Sequence, residues 1–295
     1  MPAASMLHPT MGEGEMSRHK GSLALRLLLA ATVLTTAATV MVPTPTAANS
    51  PQTRPIAWRP TDPPENGDVA GAEWIEIDVP VPSSQARRIL AAVFRPAGEG
   101  PFPVVVYLHG GSGLATGMLR WAPRLSEAGF LVLAGCYALT LRAVNRIACP
   151  DGPSSDRGLE ALLDVATELP DARRDGLGVL GLSIGARMAF STLGDPRIRA
   201  VATDSGDPGI VPLVEPSSIG AAVLLLAFEQ DSFVNELALH QYERRLRDLG
   251  KMVESHTFDG SGHVVTLSPG TSAEATTLTL DFFRRHLLAT SRALP

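Results

Sequence analysis

The chain has 295 residues, is 45% hydrophobic and 19% charged, and carries a net charge of −5 at neutral pH. This is globular composition, with enough apolar material for one large domain or two small ones. The negative balance, the scattered arginines and the lack of any recurring period of roughly 20 to 50 residues exclude a nucleic-acid binder and a repeat array.

The first fifty residues differ from the rest. Arg18, His19, Lys20 and Arg26 precede the uncharged run "LLLAATVLTTAATVMV", which is short for a membrane span, and "PTPTAANS" follows with small residues. A positive region, an apolar region and a small-residue region in that order predict a secretory signal peptide over residues 1–48, cut after Ala48. Met16 is an alternative start, and an uncleaved membrane anchor is the competing reading. Residues 49–71 are rich in Pro, Thr and Asn and read as an extended tether.

From residue 72 onward apolar and amphipathic stretches alternate. "EWIEIDV" (73–79) and "RRILAAVF" (87–94) predict two opening strands, the first with clean period-2 alternation. "FPVVVYLHG", "GFLVLAGC", "GLGVLGLS", "RIRAVATD" and "AAVLLLAFEQD" are continuous apolar runs, as expected of strands buried on both faces, and "MVESHTF" is a weaker eighth. Helical patterns fall at 118–128, 156–169, 184–193, 234–249 and 274–288. The order predicts one mostly parallel, eight-stranded α/β sheet with helices on both faces, occupying residues 72–295.

Cys136 and Cys149 are the two cysteines of the chain. In an exported protein they are expected to form a disulfide, with two reduced buried thiols as the alternative. Neither has a glycine-flanked setting, so neither reads as a nucleophile.

Ser183 has that setting. It stands in Gly181-Leu182-Ser183-Ile184-Gly185, where a buried strand ends and a helical pattern begins. A strand-to-helix corner this tight leaves no room for side chains two residues either side of the serine. It lifts the hydroxyl above the sheet at a helix N-terminus, whose amides favour a developing oxyanion.

A serine hydroxyl needs a base and an orienting acid. Asp231 ends a later strand, and His263 follows in the Gly-rich "HTFDGSGHVV" before the last helix. Asp204 and Glu229 are the competing acids. His256, within a strand pattern, reads as structural, and His240 lies on a helix face. For a second oxyanion amide beside that of Ile184, "YLHGGSGLATG" supplies Gly111, with Ser112 as second choice. His109 reads as a brace for this loop. No metal or other cofactor is expected, because no cluster of metal-ligating residues appears.

With these motifs in place, the chain resembles the α/β-hydrolase superfamily, and within it the dienelactone-hydrolase-like secreted esterases. The resemblance runs from about residue 73 to 289 and rests on "HGGSG", "GLSIG", "EQD" and "GSGH" in that order. It implies the α/β-hydrolase fold with an eight-stranded sheet, and hydrolysis through an acyl-enzyme. Dienelactone hydrolases proper carry a cysteine nucleophile where this chain has Ser183, which directs the expectation toward carboxylic esters. The link "SGDPGIVPLVEPSSIG" is interrupted by prolines and holds no helical repeat for a sizeable lid, so short-chain, soluble esters are the expected substrates. An acyltransferase, a peptidase and a non-catalytic binding protein on the same scaffold are the alternatives. No nucleic acid and no membrane span after signal cleavage are expected, and the sequence does not fix the oligomeric state.

Overall fold

The computed structural model describes residues 56–80, 87–137, 147, 155–210 and 218–288. Among these described residues nine strands lie in one sheet: β1 (Trp58–Thr61), β2 (Ala72–Val79), β3 (Arg87–Phe94), β4 (Phe102–Leu108), β5 (Leu131–Gly135), β6 (Ala172–Leu182), β7 (Ile198–Asp204), β8 (Ala222–Gln230) and β9 (Val253–Ser261). Their order across the sheet is β1-β2-β3-β5-β4-β6-β7-β8-β9. The first three strands pair antiparallel, β3 meets β5 antiparallel, and every pairing from β5 to β9 is parallel.

All eight expected strands form. The ninth, β1, is a correction: it arises within the stretch read as a tether and pairs antiparallel with β2. An edge strand needs only one neighbour and tolerates Pro60 in its ladder. Its charge also has a local partner, since Arg59 pairs with Glu76 and with Asp78 on β2.

The continuous apolar strands are buried on both faces, and period-2 geometry divides them between two cores. Val104, Val106 and Leu108 of β4 face one core, together with Leu162, Phe190 and Leu246. Val105 and Tyr107 face the other, with Trp121, Phe282 and Phe283. The helices whose side chains enter these two cores are α1 (Thr116–Leu119), α2 (Trp121–Glu127), α3 (Ser155–Glu168), α4 (Ile184–Ser191), α5 (Glu236–Asp248) and α6 (Ser272–Phe283). The helix expected over 118–128 is broken into α1 and α2 at Arg120. Pro123 has no N–H to offer the carbonyl of Leu119, four residues back, so one continuous helix loses a bond there.

The parallel arrangement puts the carboxyl ends of β4, β6, β7 and β8 at one edge of the sheet. The "HGGSG" turn, Ser183, Ser205 and Asp231 follow those strands, and the loop after β9 brings His263. Of the link read as lidless, residues 211–217 lie outside the described residues. Among the described residues no helix is long and apolar enough to cross a membrane. The expected signal peptide and the first part of the tether also lie outside them.

Candidate active site

The corner at Ser183 is as tight as the sequence required. A Cβ on Gly181 would lie 2.3 Å from the carbonyl oxygen of Gly185, and one on Gly185 would lie 2.1 Å from that of Leu108. Both obstacles are backbone, which cannot move aside. Ser183 itself takes φ 54° and ψ −114°, a strained conformation for a residue with a side chain. Its N–H donates to the carbonyl of Asp204 at 2.8 Å, which ties the corner to β7.

The hydroxyl of Ser183 lies 2.8 Å from Nε2 of His263. On the other side of the ring, Nδ1 lies 3.0 and 2.9 Å from the two carboxylate oxygens of Asp231. A carboxylate only accepts, so the proton of the neutral ring sits on Nδ1 and the lone pair of Nε2 faces the serine hydroxyl. The Asp231 side chain is only 1% exposed, and its Oδ1 also accepts the N–H of Phe233 at 2.9 Å. The sheet thus brings Ser183, His263 and Asp231 into one hydrogen-bonded line.

The competing residues go elsewhere. Glu229 is exposed on β8. His240 lies between Glu236 and Glu243 on α5. His256 lies within β9. Asp204 is fully buried and does not reach the ring of His263; it accepts the N–H groups of Val265 at 2.9 Å and Thr266 at 3.0 Å. Burial raises its pKa, against which the Thr266 hydroxyl and these amides act.

Gly110, Gly111 and Ser112 meet Ser183 from the end of β4. A Cβ on Gly110 would lie 3.4 Å from that of Ser183, and one on Gly111 would lie 3.1 Å from Cδ1 of Ile184. The two residues expected to supply oxyanion amides are therefore neighbours beside the hydroxyl. His109 is fully buried, with Nδ1 2.9 Å from the carbonyl of Gly110 and the ring 4.6 Å from that of Tyr137. The Tyr137 hydroxyl donates to the His109 carbonyl at 2.8 Å. Burial pushes the His109 pKa down to about 4, so the ring is neutral and braces the turn.

Ser183, Ile184, His263 and the Gly110–Ser112 turn line a cleft of about 520 Å³ with Met118, Arg187, Phe233 and Val264. Phe233 was not singled out from the sequence. Its ring lies 4.7 Å from that of His263 and is 70% exposed, at the rim of the cleft. The signal available was an aromatic two residues after a candidate acid. Among the described residues no group of His, Cys, Asp and Glu is placed to hold a metal. Cys136 is buried at the end of β5. Cys149, its expected partner, lies outside the described residues.

The chain is 36% identical over 105 residues to a mouse (Mus musculus) bile acid-CoA:amino acid N-acyltransferase, a match that covers 35% of this chain and 23% of that protein. It is 23% identical over 239 residues to a probable 2-oxo-3-(5-oxofuran-2-ylidene)propanoate lactonase of a Bradyrhizobium species, covering 73% of this chain and 94% of the relative. An esterase of Pyrococcus furiosus superposes with a TM-score of 0.58 at 16% identity, over 73% of this chain and 93% of that one. The sequence profile of the dienelactone hydrolase family matches residues 89–286, which hold the "HGGSG" turn, the serine corner and the histidine loop, and the chain belongs to that family.

Proposed function

We propose that this hydrolase cleaves carboxylic esters through an acyl-enzyme on Ser183. The observation that carries the reading is the unbroken line from the Ser183 hydroxyl through His263 to Asp231. In the first step Nε2 of His263 takes the serine proton as Oγ attacks the ester carbonyl, and Asp231 stabilises the imidazolium that forms. The amides of Gly111 and Ile184 hold the oxyanion. The imidazolium then protonates the departing alcohol as the ester C–O bond breaks. In the second half His263 activates water, which releases the acid and restores the serine.

Short acyl groups suit the cleft. Among the described residues its apolar side chains are Met118, Ile184, Phe233 and Val264, and each further buried methylene contributes only about 0.8 kcal/mol. Preference should therefore rise over the first few carbons and then flatten. Export by the N-terminal segment and a Cys136–Cys149 disulfide belong to the same proposal, and they are compatible with a secreted esterase. The test is a fluorophosphonate probe with peptide mapping. Labelling of Ser183, lost in Ser183→Ala, is expected together with turnover of p-nitrophenyl acetate and butyrate. Labelling of another serine would overturn the site.

A second reading is acyl transfer to an amine or alcohol, favoured by the likeness to the N-acyltransferase. Product analysis with glycine added as acceptor separates the two: free acid alone supports hydrolysis.

A further inference from the structure

Three consecutive peptide units follow His263, and all three are held on both sides. The N–H of Val264 donates to the Ser205 hydroxyl oxygen at 2.9 Å. Those of Val265 and Thr266 donate to the two oxygens of Asp204. On the opposite side the carbonyls of Val264, Val265 and Thr266 accept from the hydroxyls of Ser268, Thr271 and Ser272 at 2.9, 2.7 and 2.7 Å. The Thr266 hydroxyl also donates to Asp204.

This segment needs such restraint. Val264 has φ 63° and ψ 84°, a left-handed conformation that a β-branched residue rarely adopts. Ser205, which holds its amide, has φ 55°. With Ser183, three of the four non-glycine residues at positive φ among the described residues lie at this site. Strained backbone persists only where its surroundings over-determine it.

We infer that Asp204 is a positioning residue for the reaction: its carboxylate, with Ser205 and Thr266, clamps the loop that aims His263 at Ser183. The single residue Asp204 spans both halves of the reacting pair. Its backbone carbonyl accepts the Ser183 N–H, and its side chain holds the chain immediately after His263. A carboxylate suits this position because it offers two acceptors and no donor to two parallel amides and a hydroxyl, whereas an asparagine would turn an NH₂ toward an N–H. The inference rests on the ester-hydrolase reading for its activity measurements, but the clamp itself has a readout that does not.

The experiment compares Asp204→Asn, Thr266→Val and Thr266→Ser with the unaltered full chain. Asp204→Asn should lower kcat for p-nitrophenyl acetate by about 10- to 100-fold with KM nearly unchanged, the cost of a misaimed but present base. Thr266→Val keeps the volume of the side chain and loses the hydroxyl, and should lower kcat by roughly tenfold. Thr266→Ser keeps the hydroxyl, loses a methyl group, and should restore most of the rate that valine loses. A packing role would reverse that order, with serine the worse variant. The downfield ¹H resonance of the His263 Nδ1 proton should broaden in Asp204→Asn and Thr266→Val and remain sharp in Thr266→Ser. If Asp204→Asn does not fold, the Thr266 pair carries the comparison. An unchanged kcat and a sharp resonance in Thr266→Val would overturn the clamp while leaving the ester-hydrolase reading intact. An unaltered protein that does not react with the fluorophosphonate would instead sink that reading, with the resonance still deciding the clamp.

Discussion

The Asp231 carboxylate lies 2.9 Å from Nδ1 of His263, with both of its oxygens in reach and its side chain almost wholly removed from water. An acid so placed sets which ring nitrogen carries the proton and steadies the charged ring during turnover. Asp231→Asn should lower kcat by about 10³- to 10⁴-fold, since the amide favours the wrong tautomer. The variant should melt close to the unaltered protein. Measuring p-nitrophenyl acetate hydrolysis and thermal melting on one preparation checks both statements.

The serine corner makes a different demand. Gly185→Ala would put a methyl group 2.1 Å from the carbonyl oxygen of Leu108, within a central strand. Backbone on both sides must shift, so a loss of stability of about 3 kcal/mol and loss of activity are expected together. Gly111→Ala meets only the tip of Ile184, at 3.1 Å, and that side chain is 40% exposed. Its stability should change by less than about 1 kcal/mol, with the effect confined to rate. Denaturant midpoints of the two variants distinguish these outcomes.

Acid stability should carry the signature of His109. Its pKa falls from 6.5 to about 4 through burial. A group depressed in the fold binds its proton more readily when unfolded, so its contribution is present above pH 6.5 and is lost as pH falls toward 4. The loss amounts to roughly 3 kcal/mol across that window. Urea unfolding at several pH values should show the decline, and His109→Gln should flatten it.

Cys136 and Cys149 should react with no thiol reagent in protein recovered from an oxidising compartment, as mass spectrometry after alkylation would show. Reduction should then destabilise the protein by about 3 kcal/mol, given the short loop that the pair would enclose. Ile147, within that loop, donates its N–H to the carbonyl of Leu114 beside the "HGGSG" turn. Opening the loop should therefore lower turnover before the fold is lost.

The strands were legible because burial on both faces leaves an uninterrupted apolar run, as in "FPVVVYL" and "AVLLLAF". β1 was not, because an edge strand with Arg59 and Pro60 exposed carries no such run. The corner at Ser183 was legible for the same reason that it works: bulk is excluded at two fixed positions, and only glycine satisfies that. The sequence favours Asp231 over Asp204 as the acid because its strand lies later in the chain, although each sits at the carboxyl end of a parallel strand. What separates them is distance: Asp231 reaches the ring of His263, whereas Asp204 stops at the amides two and three residues further along. Residue types do not encode that difference. Nor do serine and valine announce a positive φ, so the strain at Ser205 and Val264 is not legible in the sequence.

The sheet order also sets when this site comes into being. His263 and Ser183 stand 80 positions apart along the chain, and Thr266 and Asp204 stand 62 apart. Each such bond closes a long loop across the parallel ladder of β6 to β9, and pairings of this kind form slowly because chain entropy is lost before contacts repay it. Trp58 and Trp74 lie on β1 and β2, which pair with each other, and β2 pairs in turn with β3, its neighbour in sequence. During refolding their fluorescence should settle first, and hydrolysis should return last. Enzyme activity is then a clock for the final stage of folding in this protein.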